Sequence, residues 1–198
     1  EELPLDIPLV FVVDYDMQQA EILLLAKGGE LNVSDIPKIK FHNSYFGGGM
    51  SSIVFQDMRE SKALAYSVYS TYSIPKEPGK AHYSFSYVGT QSDKLEEALL
   101  SMTDLLENMP KADENMNNAK EGIEQKIRTE RLTRSKVLSE YENAKKMGIN
   151  YDIREDIYNE VQSFGMNTLI NFHNNYVAGK NRVVMILGDK ERLDMEVL

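Results

Sequence analysis

Arg59 and Tyr66 stand seven residues apart, and a guanidinium beside a phenol is a pair of donors that can hold and polarise a carbonyl oxygen. Were the chain helical throughout, seven steps of about 100° would put both on one face, roughly 10.5 Å apart along the axis. The local pattern argues against one long helix. Residues 43–69, NSYFGGGMSSIVFQDMRESKALAYSVY, run from a glycine turn through an amphipathic stretch into a tyrosine-rich alternation. The pair therefore brackets a helix-to-strand junction, with Tyr66 opening the strand. Both residues also admit plain structural roles: Arg59 has Glu60 and the helix-end carbonyls as partners, and Tyr66 suits a core.

The other chemistry-bearing residues offer less. His42, His82 and His173 are the three histidines, and none lies three or four residues from another, so neither H-E-x-x-H nor H-x-x-E-H is present. This chain is expected to bind no catalytic metal by itself, and each histidine reads as structural or solvated. Gly47-Gly48-Gly49 invites a phosphate-cradle reading, yet no Lys-Ser/Thr follows and the glycines join two helices, so a tight turn that lets a helix pack closely fits better. No serine sits in a G-x-S-x-G elbow. Tyrosines at period two in residues 66–88 read as core or cross-strand pairs, and methionines at helical spacing as core filler.

The 198 residues suit one well-cored domain, and 42% hydrophobic with 27% charged residues marks a folding chain. A net charge of −9 argues against nucleic acid as a partner, because that affinity rests on Lys and Arg displacing counterions. Cysteine is absent, which excludes disulfides and thiolate chemistry and fits either redox compartment, periplasmic or cytoplasmic in a bacterium. No apolar run approaches the roughly 20 residues of a membrane-spanning helix. The start at Glu1 and the stop at Leu198 inside a helix-like pattern read as a piece excised from a longer protein.

Elements must position the pair. Residues 8–13 and 21–26 read as strands joined by about seven residues, too short for a parallel crossover, and hence as an antiparallel pair. Ser34, Asp35 and Pro37 open a short helix that ends at the glycines. A second helix over 50–63 should pack Met50, Ile53, Val54 and Met58. Residues 66–74 and 81–88 alternate as a hairpin turned by Pro75 and Pro78-Gly79, with Tyr66 sharing a face with Val68, Ser70 and Tyr72. Helices then follow from Asp93 to Pro110, from Asp113, over 135–147, from Asp152, and over 167–177, before a closing strand at 182–187. Strands, a helical block and a final strand imply an α+β fold, a mostly antiparallel sheet with helices packed on one face.

With these residues in view, the chain resembles the pitrilysin/insulinase family of zinc peptidases, which includes the mitochondrial processing peptidases, and within it the half that carries no zinc. The resemblance rests on YFGGGMSSIVFQDMRESKALAYS, on Gly89-Thr90-Gln91-Ser92-Asp93-Lys94, on Asn108-Met109-Pro110 and on Ile186-Leu187-Gly188-Asp189. It implies a metallopeptidase half-domain facing a homologous zinc-bearing domain, in the same chain or a separate subunit, like a clamshell. That partner would hold zinc through H-x-x-E-H, while this domain alone would be inactive. By the resemblance, Tyr66 donates a hydrogen bond to the scissile carbonyl oxygen of a peptide substrate, and Arg59 anchors the peptide backbone or Tyr66 itself. The alternative is a scaffold or chaperoning domain of the same fold without catalysis.

Overall fold

A computed structural model describes residues 4–193; the helix-like ending expected near Leu198 lies outside them. Five strands, β1 (Leu9–Asp14), β2 (Gln19–Glu30), β3 (Ser67–Tyr72), β4 (Ala81–Gln91) and β5 (Val183–Gly188), form one sheet in the order β1-β5-β2-β4-β3. Three of its four interfaces are antiparallel, and β1 with β5 is parallel. The α+β expectation holds. The expected β1–β2 pairing does not: the two run in opposite directions, but β5 lies between them. Residues 15–18 only have to step over one strand, about 9.6 Å, which a four-residue link spans easily.

Among the described residues seven α-helical segments accompany the sheet. These are α1 (Ile36–Phe46), α2 (Ile53–Phe55), α3 (Leu95–Glu107), α4 (Asp113–Thr129), α5 (Arg134–Lys146), α6 (Arg154–Ser163) and α7 (Met166–Tyr176). The core lies between the helices and one sheet face. Along β2 the residues Ala20, Ile22 and Leu24 are buried in one cluster with Ile39, Phe46, Met102, Leu106 and Leu169, and Ala26 is buried too, while Glu21, Leu23 and Leu25 between them are only half-buried. This alternation is the mark of a sheet covered on one side.

The helix expected over 50–63 is shorter and of mixed kind. After α2 the chain widens into a π turn at Gln56–Ser61, with Lys62 N–H donating to Asp57 O (3.0 Å) and Leu64 N–H to Met58 O (2.8 Å). Ile53, Val54 and Met58 are buried as expected, but Met50 is 76% exposed, because it sits in the glycine turn before the helix begins. Gly47 shows why that turn needs glycine: a Cβ there would lie 2.2 Å from Ser70 O and 2.5 Å from Ser70 N, both backbone atoms of β3. The α1 terminus also closes the outer edge of β3, since Asn43 Nδ2 donates to Tyr72 O (2.9 Å) and Tyr72 N–H to Asn43 Oδ1 (2.7 Å). An edge strand so occupied offers less backbone to another chain.

Candidate functional site

The sheet face away from the helices is apolar and aromatic. Register places Leu9, Phe11 and Val13 of β1, Val183, Met185 and Leu187 of β5, and Leu23 and Leu25 of β2 on it. The hairpin adds Tyr69, Phe85 and Tyr87, stacked across the strands with centroids 5.8 Å (Tyr69–Phe85) and 5.3 Å (Tyr69–Tyr87) apart. The covered face of the same hairpin carries Ser70, Ser84, Ser86 and His82, all buried. Ser70 Oγ and Ser86 Oγ are 2.8 Å apart, and His82 Nδ1 lies 2.6 Å from Ser73 O. Alternation in the sequence shows which residues share a face; the serines lie under the helices together with Tyr72, which is buried against Phe172 and Tyr176 of α7, while Tyr69 and Tyr87 lie on the open side.

Arg59 lies on the π turn. Its guanidinium stands over the Phe55 ring at 5.0 Å, and its Nε is 3.9 Å from Glu60, so the pairing foreseen as its plain role is present at the long limit. The turn is tied to α3 through Lys62 Nζ, which contacts Asp57 (2.7 Å) and Ser101 Oγ (2.8 Å). Ala63 then adopts a left-handed conformation, φ 49°, and its carbonyl accepts from Lys94 Nζ (3.1 Å). Leu64 is buried, and its carbonyl accepts from Thr90 Oγ1 at 2.6 Å.

Tyr66 follows, and the strand begins one residue after it. It does not share the covered face with Val68. It is 40% exposed, and its Cε2 lies 3.2 Å from where a Cβ of Gly89 would stand, on the open face beside Tyr87. The π turn and left-handed Ala63 rotate the chain before the strand starts, so the parity counted along the sequence does not reach back to Tyr66. Tyr66 N–H donates to Gly89 O (3.2 Å) and its hydroxyl to Thr90 O (3.1 Å). Partial burial first, and then the Glu21 carboxylate, push the phenol above its ordinary pKa, so at neutral pH it is a protonated donor. Tyr87 is raised by the same two causes in the same order. No hydrogen bond, ion pair or ring contact joins Arg59 to Tyr66; the pair flanks one junction without touching.

Glu21, Tyr87, Gly89 and Thr90 were not singled out as site residues from the sequence. A glycine inside a strand pattern is the signal that could have found this spot, since it marks a close approach. Chemically the arrangement can donate hydrogen bonds to a developing negative charge. Among the described residues no three His, Cys, Asp or Glu side chains converge as a metal site. His42 and His173, 131 residues apart, are buried as a bonded pair, Nε2 to Nδ1 at 3.1 Å, with His173 Nε2 3.0 Å from Leu106 O. No helix of the described residues is long and apolar enough to cross a membrane.

Residues 4–123 match the family model described as the peptidase M16 inactive domain. Among curated relatives, an uncharacterized zinc protease of Bacillus subtilis, YmxG, is 39% identical over 82 residues, 41% of this chain and 19% of that protein. An uncharacterized zinc protease of Rickettsia felis is 31% identical over 144 residues, 70% of this chain and 32% of that protein. The chain thus spans a third or less of the length of these relatives. A crystal structure described as a peptidase M16 inactive domain from Pseudomonas fluorescens superposes with a TM-score of 0.79 at 16% identity, covering 93% of this chain and 44% of that one. That likeness carries the fold.

Proposed function

This chain belongs to the family of peptidase M16 inactive domains, and from that membership we propose that it is the substrate-holding, transition-state-stabilising half of a zinc metallopeptidase that cleaves peptides and is not active alone. Its 198 residues form one αβ unit of a clamshell whose homologous counterpart, in the same chain or another subunit, supplies the zinc. The names of the curated relatives, both zinc proteases, support that pairing. So does the apolar open face, on which Leu9, Phe11, Val13, Tyr69 and Met185 remain exposed.

One observation carries the reading: Tyr66 presents a protonated phenol on the open face, with ring and backbone fastened to β4. A donor whose ring is seated before substrate arrives has only to turn its O–H bond toward an oxyanion. Arg59, exposed and paired only at the long limit, is free to grip a peptide carbonyl in ground and transition states alike. The scaffold reading has its own support in the absence of a link between the two residues.

Tyr66→Phe and Arg59→Ala, assayed in the chain together with its zinc-bearing counterpart, separate the two readings. Tyr66→Phe is expected to lower kcat on the order of a hundredfold with a small change in KM, because one oxyanion donor is lost and the ring is kept. Arg59→Ala is expected to weaken both constants. Unchanged kcat for a folded Tyr66→Phe variant would leave the scaffold reading in its place, and tightly bound zinc in the chain alone would overturn the assignment of the half.

A further inference from the structure

Tyr66 is attached to β4 at three places. Its amide donates to Gly89 O, its hydroxyl donates to Thr90 O, and its ring edge covers the position where Gly89 lacks a side chain. Gly89 has no left-handed φ, so the backbone itself does not require glycine there. What requires it is the space above it. A Cβ would stand 3.2 Å from both Tyr66 Cε2 and the Tyr87 hydroxyl, tighter than ordinary contact on two sides, with Ser67 O at 3.6 Å. Tyr66 cannot yield simply by sliding, because its amide and its hydroxyl are both bound to the strand below.

Thr90 contributes from the other direction. It is fully buried; its side chain holds Leu64 O, two residues before Tyr66, while its own carbonyl receives the phenol. One threonine therefore fixes where the chain enters Tyr66 and where the hydroxyl ends.

We propose that Gly89 and Thr90 are positioning residues for Tyr66, Gly89 as the seat of the ring and the Thr90 carbonyl as the resting acceptor of the hydroxyl proton. The hydroxyl has a single proton, so donation to a substrate oxygen requires it to leave Thr90 O. Rotation about the Cζ–O bond does this while the ring stays seated, so the donor changes acceptor without a loop movement. The inference deepens the catalytic reading of Tyr66 and rests on it for its kinetic consequence, but the seat itself is a statement about this chain alone.

Gly89→Ala tests it by two readouts. In the chain with tyrosines carrying 13C at Cζ, the Tyr66 resonance, identified by its absence in Tyr66→Phe, is expected to shift. In the pair with the zinc-bearing counterpart, kcat is expected to fall about tenfold or more with KM within about twofold, and a Tyr66→Phe background should show no further loss. An unmoved Tyr66 resonance overturns the proposal, and so does an equal loss of kcat in both backgrounds. Should Tyr66→Phe itself keep full kcat, the catalytic reading falls, and the resonance still decides the seat. If Gly89→Ala fails to fold, Gly89→Ala combined with Tyr87→Phe removes one of the two close contacts and is read in the same way.

Discussion

The two faces of β4 are built on different terms. Toward the helices the strand shows His82, Ser84, Ser86, Val88 and Thr90, mostly small and all buried; toward the open side it shows Tyr83, Phe85 and Tyr87, large, half-buried, two of them stacked with Tyr69. Burial on the covered side removes these groups from water, so their hydroxyls look for partners within the fold. The open side keeps its apolar area in contact with solvent, where covering it would release about 25 cal/mol per Å². One face is therefore finished within this chain, and the other is the face on which Tyr66 and the surrounding tyrosines present themselves.

The largest way to break that contrast is at Gly47, where α1 meets β3 backbone to side chain-less carbon. Gly47→Val is expected to cost about 3 kcal/mol or more, because the backbone of Ser70 cannot retreat as a flexible side chain would. Urea denaturation measures it. A midpoint equal to the parent's would mean that the covered face is no tighter than the open one.

Next in size is a dependence on acid that belongs to the covered side. Because His173 Nε2 faces the Leu106 carbonyl it carries a proton, which leaves Nδ1 to accept from His42 Nε2–H and makes both rings neutral. Burial first of all depresses both, His173 to about 4, with the Arg182 charge lowering it further and Glu107 and the Leu106 carbonyl opposing. An unfolded histidine takes up its proton near 6.5. Between about 6.5 and about 4 the unfolded chain binds more protons, so stability falls as pH drops through that window, by about 3 kcal/mol for His173. Denaturation at pH 7, 5 and 4 should show this slope in the parent and a shallower one in His173→Gln, where buried His42 remains; equal slopes would remove His173 from the account.

Smallest is the effect expected on the open face. Phe11, 50% exposed on β1, changed to Thr should alter the stability of this chain by less than about 0.5 kcal/mol. The same change should weaken association with a domain that covers the face, measured by calorimetric titration. A large loss of stability in the chain alone would show that the open face is part of its core after all.

Much of the molecule was legible before any coordinates. Strand and helix types follow from local period, the missing metal motif and cysteines limit the chemistry, and Arg59 with Tyr66 stood out by type and spacing alone. These are properties of neighbouring residues, which a sequence displays directly. What the tertiary structure decided depends on contacts between distant ones: β5 inserted between β1 and β2, and His42 bonded to His173 across 131 residues. The hairpin makes the difference plain, since alternation says which side chains share a face but not which face the helices will cover. That choice rests on how closely α1 can approach, and so on Gly47 against Ser70. Tyr66 lies on the open side because a π turn and a left-handed Ala63 precede it, and because Gly89, 23 residues further on, leaves its ring a place to lie.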